Sequence, residues 1–497
     1  MIEMFASAML AMMPVASSPE AEGVSSRGLV EWIDACERDL DCLHGFVFLR
    51  HGKVIAEGSW KPYDTLNETH FLSSHSKCFV STAVGFLVDE GKLDLDERLV
   101  DVLPDLLPKK PSPNLQSIRI RDMLTMNFGA TTERIWPDGN TDIDWPKAAL
   151  ARKVENRPGL AFQYDSFSTH LLGVVIARRA GKPFWDFLRE RLFSKIGIDK
   201  AWTTYDPRGN PCVSWGMNMT TREISRIGQL YLDKGMWNGE RILSEDWVDL
   251  ATAKQTWSGK TQADRQEKND WVLGFGFNWW RCQHGCYRAD GAGGQFTIVM
   301  PKYDAVLSIN ADVEDMQKVL DLVWERFLPA LKPSSLPEDA DAARALRHRC
   351  ESLELKPVAG RREGLDPAFC GKDFTFDPPA GKRIHGIRLD TAADGWTLRM
   401  KTDAGVFNVP VGFGKWALSD MKFSKNNYEV LGDMIGLRKV AASAAVQEDG
   451  AFKLRIHLLE GTHKIDMTFR RKMFKPFVEG HIEGLGRSGK FSSTWLK

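Results

Sequence analysis

The sequence predicts an α/β domain followed by a mostly antiparallel β domain, a barrel or a sandwich. Three observations predict it. Over the first 330 residues, strand-like pieces at both ends enclose apolar helical stretches, which suggests one sheet assembled from distant segments. Residues 332–340 read KPSSLPEDA, which is linker chemistry. Beyond them apolar and polar residues alternate with period two. A chain of 497 residues accommodates two such domains comfortably. The expected bounds are an N-terminal arm over 1–24, the α/β domain over 25–332, a linker over 333–340 and the β domain over 341–497.

Each element has its own signal. Residues 46–49 and 54–57, joined by Arg50-His51-Gly52-Lys53, read as a hairpin of short strands. Residues 76–90 have helical spacing, with Val80, Ala83, Val84, Leu87 and Val88 on one face. Gly91 ends that helix. Residues 168–180 form a second apolar helix, closed by Gly181 and Pro183, and 221–234 a third. Residues 296–300 and 305–310 make a second hairpin, and 315–331 an amphipathic helix. In the C-terminal part, WTLRMK (396–401), FKLRIHL (452–458) and KIDMTF (464–469) alternate strictly, with turn residues such as Asp449-Gly450 and Gly461-Thr462 between them. Internal repeats are not evident.

Composition excludes several classes. Sixty-six Lys plus Arg balance sixty-six Asp plus Glu, so neither a basic nucleic-acid binder nor an acidic tail is expected. An apolar fraction of 43% supports a folded core. No run of eighteen apolar residues occurs, so no membrane span is expected. Eight cysteines (36, 42, 78, 212, 282, 286, 350 and 370) are too sparse for a secreted disulfide scaffold. A cytoplasmic protein with reduced thiols is the expectation. The alternative is export, because residues 5–16 (FASAMLAMMPVA) pass for a weak signal-peptide core without a basic segment before it. Cys282 and Cys286 flank His284, but the spacing lacks a second pair, so no metal is expected.

A search for a nucleophile leads to Ser74-His75-Ser76-Lys77. On a helix, residues three apart share a face, so Lys77 can sit beside the Ser74 hydroxyl and accept its proton. The helix start adds backbone N–H groups and a positive dipole end, which favour an attacking oxygen and an oxyanion. The S-x-x-K pattern recurs once, at Ser419 to Lys422. There it lies in alternating β sequence with no helix to position it.

Further pieces follow Ser74 in order. The helix runs into Val88-Asp89-Glu90-Gly91-Lys92-Leu93-Asp94-Leu95-Asp96, then Ile118-Arg119-Ile120-Arg121-Asp122-Met123-Leu124-Thr125-Met126. After these come Pro158-Gly159, Phe162-Gln163-Tyr164-Asp165-Ser166, Leu171-Leu172-Gly173, Leu192-Phe193 and Ile196-Gly197-Ile198. Over roughly residues 25–330 this ordered set resembles the serine β-lactamase and penicillin-binding-protein-like superfamily. The similarity is greatest to its class C β-lactamase-like branch of esterases, amidases and D-amino-acid peptidases.

The resemblance implies a mixed antiparallel sheet with helices, the β-lactamase/transpeptidase-like fold. It also implies roles. Ser74 is the acylated nucleophile, Lys77 helps activate it, and Tyr164 acts with the lysine as general base and acid. Ser166 stands where lactamases usually carry asparagine. Between cationic groups, Tyr164 is expected to ionise below the ordinary value of about 10. The family's Lys-Thr-Gly strand is absent. In its place stands Asp290-Gly291-Ala292-Gly293-Gly294-Gln295, a glycine-rich form. Asp290, Gly291, Ala292 and Gly293 are therefore candidates for substrate binding and the oxyanion hole. His284 and Arg288 are weaker candidates for the missing cation.

Twelve of the seventeen tryptophans lie between residues 130 and 330, among them Trp136, Trp145, Trp215, Trp271, Trp279 and Trp280. One or two are expected to line an apolar pocket. The function expected is hydrolysis of a small ester, amide or peptide through an acyl-enzyme, without a cofactor. One alternative is a penicillin-binding acyl sensor or carboxypeptidase that deacylates slowly. The other is a non-catalytic binding protein that retains the fold. The β domain is expected to shape the mouth of the site or to mediate association, which leaves a homo-oligomer open.

Overall fold

The computed structural model describes residues 13–40, 42–133, 135, 141–259, 269–380, 383–392, 395–424, 437–473, 475–484 and 487–493. Most of the apolar stretch 5–16 lies outside them. Among the described residues, no helix is long and apolar enough to cross a membrane. The chain divides into two compact units. One comprises residues 1–58, 65–310 and 315–351; the other comprises 59–64, 311–314 and 352–497.

The first unit is mixed α/β. Helix α1 (Ser26–Asp39) starts at Ser25, whose side chain accepts from the Gly28 N–H. Its buried face carries Leu29, Trp32 and Ile33. The Trp32 ring meets Phe46 edge-on at 5.3 Å, fixing the helix on the strand that follows. Strands β1 (Leu43–Arg50) and β2 (Lys53–Ser59) bear out the first hairpin. Helix α2 (Lys77–Asp89) is buried from Lys77 through Leu87. A helix apolar all round belongs in a protein core, and each of Phe79, Val80, Val84 and Leu87 stabilises the fold by about 1.5–3 kcal/mol through burial.

Helix α3 (Ser166–Ala180) is capped by Asp165, which accepts from the N–H groups of Phe167 and Ser168, and it stops at Gly181 with φ +67°. Helix α4 (Thr221–Leu232) opens on a capping box between Thr220 and Glu223. Strands β3 (Trp280–Arg281), β4 (Tyr287–Gly291), β5 (Gln295–Met300) and β6 (Ala305–Ala311) complete a six-stranded sheet in the order β2-β1-β6-β5-β4-β3. An early strand, β1, and the last strand of this sheet, β6, thus neighbour each other, so distant segments assemble one sheet as the pattern predicts. The helix expected over 315–331 is α-helical only at Met316–Leu322, then widens over Val323–Phe327 and tightens over Leu328–Ala330. Pro329 has no N–H with which to continue the helical ladder.

Helix α5 (Ala340–Glu351) moves the expected domain boundary. All but its first residue falls within 341–497, yet it clusters with the first unit. Ala342 and Leu346 are buried, and Arg349 pairs with Asp34 and Glu37 of α1. The expected linker therefore ends in a helix that the first unit holds.

The second unit is antiparallel β. Strands β7 (Asp373–Ala380), β8 (Ile384–Ala392), β9 (Gly395–Thr402) and β10 (Gly405–Val411) form one meander. Strands β11 (Ala417–Lys422), β12 (Leu437–Val446), β13 (Phe452–Leu458), β14 (Lys464–Lys472), β15 (Lys475–Gly484) and β16 (Arg487–Ser492) form a second. Inward residues of both sheets, among them Phe374, Leu398, Leu454 and Phe469, share one core. This is a sandwich. Isolated bridges at Phe376–Ser493 and Gly412–Ser443 link its seams, and among the described residues no continuous ladder closes it into a barrel.

Candidate active site

The site is built where the turn before α2 meets the β4–β5 hairpin. Residues Ser73–Ser76 make one tight 3-10 turn that runs directly into α2. Ser73 holds φ +51°, a left-handed conformation that costs a non-glycine residue of order 1–3 kcal/mol. Its carbonyl accepts from the Ser76 hydroxyl at 2.7 Å. His75 ties the turn to the sheet through Thr297 Oγ1, 2.8 Å from its Nε2. With the Thr297 hydroxyl donating to the Ile224 carbonyl, the His75 ring donates. Burial pushes the His75 pKa down to about 3, so the ring is neutral and structural.

Gly291 ends β4 against that turn. A Cβ there would lie 2.1 Å from the Leu72 carbonyl oxygen and 3.0 Å from the His75 nitrogen. Only glycine permits this backbone approach. Ala292 and Gly293 follow in the hairpin turn, where the Gly294 N–H donates to the Gly291 carbonyl and Gly293 holds φ +82°. The predicted oxyanion segment therefore abuts the predicted nucleophile.

Lys77 lies at the centre. Its Nζ donates to Ser74 Oγ at 2.9 Å, to the Ser214 carbonyl at 3.0 Å and to Ser166 Oγ at 3.3 Å. Three donors meet three acceptors, so the ammonium form is fully hydrogen-bonded. Burial nevertheless lowers its pKa to about 8, against the opposing charges of Glu133, Asp165 and Asp290. At pH 7 about a tenth of this amine is free to accept a proton, and the fraction grows as pH rises towards 8.

Tyr164 completes the group. Its side chain hydrogen-bonds Ser74, and Lys77 Nζ sits 4.9 Å from its ring centroid. The ring stacks on Trp280 at 5.9 Å and 17°. The expected low pKa does not hold. Burial raises it, and the neighbouring charges that act on it are the carboxylates of Asp290 and Glu133 rather than two cations. The resting phenol is protonated.

Other candidates are placed differently. The Asp290 carboxylate is buried and accepts from Arg288 Nε at 2.9 Å, so it holds an arginine rather than standing open for a substrate. Arg288 is fully buried, with its guanidinium 4.4 Å from the Trp271 ring, and is closed to a substrate carboxylate. His284 sits in an exposed turn with its ring 5.4 Å from Trp324. Cys282 accepts from Arg288 at 3.2 Å. Among the described residues, no three His, Cys, Asp or Glu side chains are grouped to hold a metal.

Of the tryptophans, Trp145 and Trp215 pack on each other in the core, and Trp279 packs on Tyr231 at 4.4 Å. Trp280 joins Phe275 and Met126 in a buried cluster faced by Phe162, Tyr164 and Trp271. Trp136 lies outside the described residues.

Sequence reasoning missed four participants. Ser214 acts through its carbonyl, which every residue possesses. Its hydroxyl donates to the Ser166 carbonyl at 2.6 Å. Asp165 is a cap that its position before Ser166 could have revealed. Arg152 clamps Asp165 through two bonds of 3.0 and 2.8 Å, with both side chains almost fully buried. Glu133 accepts the Ser166 backbone N–H, and no periodicity marks it.

Comparison with known proteins agrees with this architecture. The sequence profile of the beta-lactamase family matches residues 44–325. The 6-aminohexanoate-dimer hydrolase of Paenarthrobacter ureafaciens is 24% identical over 286 residues, 54% of this chain and 71% of that protein. Penicillin-binding protein 4 of Amycolatopsis lactamdurans is 26% identical over 337 residues, 59% of this chain and 84% of that protein. Among solved structures, EstCE1, a hydrolase with promiscuous acyltransferase activity, superposes with a TM-score of 0.50 at 15% identity, covering 60% of this chain and 99% of its own. That last likeness concerns the fold.

Proposed function

The chain belongs to the beta-lactamase family, and from that premise we propose that it is a serine hydrolase that cleaves a small ester or amide through an acyl-enzyme on Ser74. The carrying observation is one atom with two proton-handling neighbours. Ser74 Oγ receives a hydrogen bond from a buried lysine with a depressed pKa at 2.9 Å and is bonded by Tyr164 as well.

The steps follow from the protonation states. Neutral Lys77 takes the Ser74 proton as Oγ attacks the carbonyl carbon. The carbonyl π pair moves onto oxygen, where backbone N–H groups of the Ser74 turn and the 291–293 segment stabilise it. The tetrahedral species collapses, and the leaving alkoxide or amine takes the phenol proton of Tyr164. Lys77 returns a proton to Tyr164. Water then gives a proton to the same pair and attacks the acyl carbon; the C–Oγ bond breaks, the acid product leaves, and the pair returns that proton to Ser74 Oγ. A phenol held protonated suits the role of acid. The relatives' names, a 6-aminohexanoate-dimer hydrolase and a penicillin-binding protein, support a small amide or peptide as the substrate type. The Phe162, Phe275 and Trp280 cluster beside Tyr164 supports an apolar acyl group.

Intact mass after a fluorophosphonate, a penicillin and p-nitrophenyl acetate tests the reading, with Ser74→Ala alongside. The expected result is an adduct lost in the variant, with the acetyl group turning over. A stable penicilloyl adduct without turnover would move the protein to the acyl-sensor class. No adduct with any probe would leave a binding protein.

A further inference from the structure

The charges around Lys77 are arranged in pairs, with one exception. Arg152 and Asp165 neutralise each other in a bidentate bridge with 3% and 2% of their side chains exposed. Arg288 and Asp290 do the same at 2.9 Å. The remaining Arg288 donor, Nη2, is buried and beyond a ligand's reach. Glu133 is different. Its carboxylate accepts the Ser166 backbone N–H at the start of α3, where the helix dipole favours an anion. It is half-buried rather than sealed, and among the described residues it has no arginine partner. Its charge acts on both Lys77 and Tyr164. Among the described residues of this group, Lys77 is its cationic counterpart.

The reaction removes that counterpart. The form of Lys77 that accepts the Ser74 proton is the neutral amine, and with it the two arginine pairs cancel and Glu133 alone carries net charge. A substrate carboxylate entering at that moment meets an uncompensated anion. A substrate cation replaces the charge that Lys77 has given up. The apolar side of the site points the same way. Phe162 and Tyr164 are half-buried rings backed by Phe275 and Trp280, and aromatic faces attract ammonium groups.

Resting on the serine-hydrolase reading, we propose that this site selects cationic esters or amides. An ammonium or quaternary ammonium group of the substrate is held by Glu133 and the aromatic wall of Phe162 and Tyr164, and free carboxylates are rejected. Glu133 is thereby a specificity residue, and substrate binding itself favours the neutral state of Lys77.

Two ester series test this at low ionic strength, where screening is weakest. One series is p-nitrophenyl 6-(trimethylammonio)hexanoate, p-nitrophenyl hexanoate and mono-p-nitrophenyl adipate, with the charge on the acyl side. The second is acetylthiocholine against S-(3,3-dimethylbutyl) thioacetate, with the charge on the leaving side. Ser74→Ala supplies the background. In at least one series kcat/KM for the cation should exceed that for the neutral ester about tenfold or more, and the adipate should be the poorest substrate of the first series. Glu133→Gln should collapse that ratio towards one, and Glu133→Asp should retain part of it. The acidic limb of kcat/KM should move to lower pH in Glu133→Gln, because a charge that favours protonated Lys77 is gone; a purely structural loss would leave the limb in place.

Ratios within about twofold in both series of the unmodified protein would overturn the proposal while Ser74-dependent turnover left the hydrolase reading intact. So would a cation preference that survives Glu133→Gln. Absence of Ser74-dependent turnover on every ester would overturn both.

Discussion

The chain carries the same tetrapeptide pattern twice, and the two copies behave as different chemistry. Ser74 and Lys77 occupy a tight turn and the first residue of α2, so spacing by three brings the amine onto the hydroxyl at 2.9 Å. Ser419 and Lys422 lie on strand β11. Side chains three apart on a strand point to opposite faces, so this lysine cannot reach that serine. Surroundings widen the gap. Lys77 is 2% exposed and lies among hydrogen-bond acceptors, whereas Lys422 is half-exposed. A motif of two residue types becomes a reactive pair only when backbone period and burial both agree with it.

Paired substitutions sharpen that comparison. Ser74→Ala should lower ester turnover by about 10³-fold or more, while Ser419→Ala leaves it unchanged; initial rates on p-nitrophenyl acetate measure both. Lys77→Met should reduce acylation by about 10²–10⁴-fold, against no change for Lys422→Met, read from the rate of fluorophosphonate labelling. Tyr164→Phe removes a proton carrier but keeps the ring on Trp280. A loss of about 10²-fold in kcat, with KM nearly unchanged, is expected from steady-state kinetics.

The smallest effect concerns pH. Because the Lys77 pKa is lowered to about 8, kcat/KM should rise about tenfold per pH unit below that value and level off above it. Burial raises the phenol of Tyr164, so no fall from its ionisation should follow at the ordinary tyrosine value. Stability carries the same sign. Between pH 8 and the ordinary lysine value of about 10.4, the unfolded chain binds the proton that folded Lys77 has lost, so the contribution of Lys77 to stability rises with pH, while buried thiols such as Cys36 and Cys282, pushed up by burial, contribute with the opposite sign. Lys77→Met should remove that contribution, about 2 kcal/mol between pH 7 and pH 10, read by chemical unfolding as the difference between variant and unmodified protein at the two pH values.

What the sequence disclosed follows a physical rule. Helix α2, helix α3 and the hairpin of β5 and β6 were legible because their periodicity and their terminal glycines are local. So was the meeting of Ser74 with Lys77, since one helical turn produces it. The approach of Tyr164 and Gly291 came through the resemblance, because chain order alone does not bring residue 164 to residue 74. The fates of Asp290 and Arg288 were not legible. They are two apart on one strand and so share a face, and their mutual ion pair closes both to a ligand. Neither the Ser214 carbonyl nor the Glu133 carboxylate has any pattern to display. Helix α5 was not legible for a related reason: it is held by side chains more than 300 residues away in the sequence.

Residues 59–64 have a consequence for how this protein can be taken apart. They lie in the sequence between β2 and the nucleophile's turn, yet they belong to the second unit. Trp60 and Tyr63 are almost wholly buried there, Tyr63 OH lies 3.2 Å from His457 Nδ1, and Lys61 exchanges backbone bonds with Leu353 and Leu355. The second unit is therefore not a detachable C-terminal cassette. Its removal would leave two large aromatic rings uncovered on a short tether about ten residues before the serine. Recombination or truncation at a single point after residue 340 cannot separate the halves cleanly. A modular exchange would need five simultaneous junctions, because the second unit is made of residues 59–64, 311–314 and 352–497, which makes the two units one heritable module.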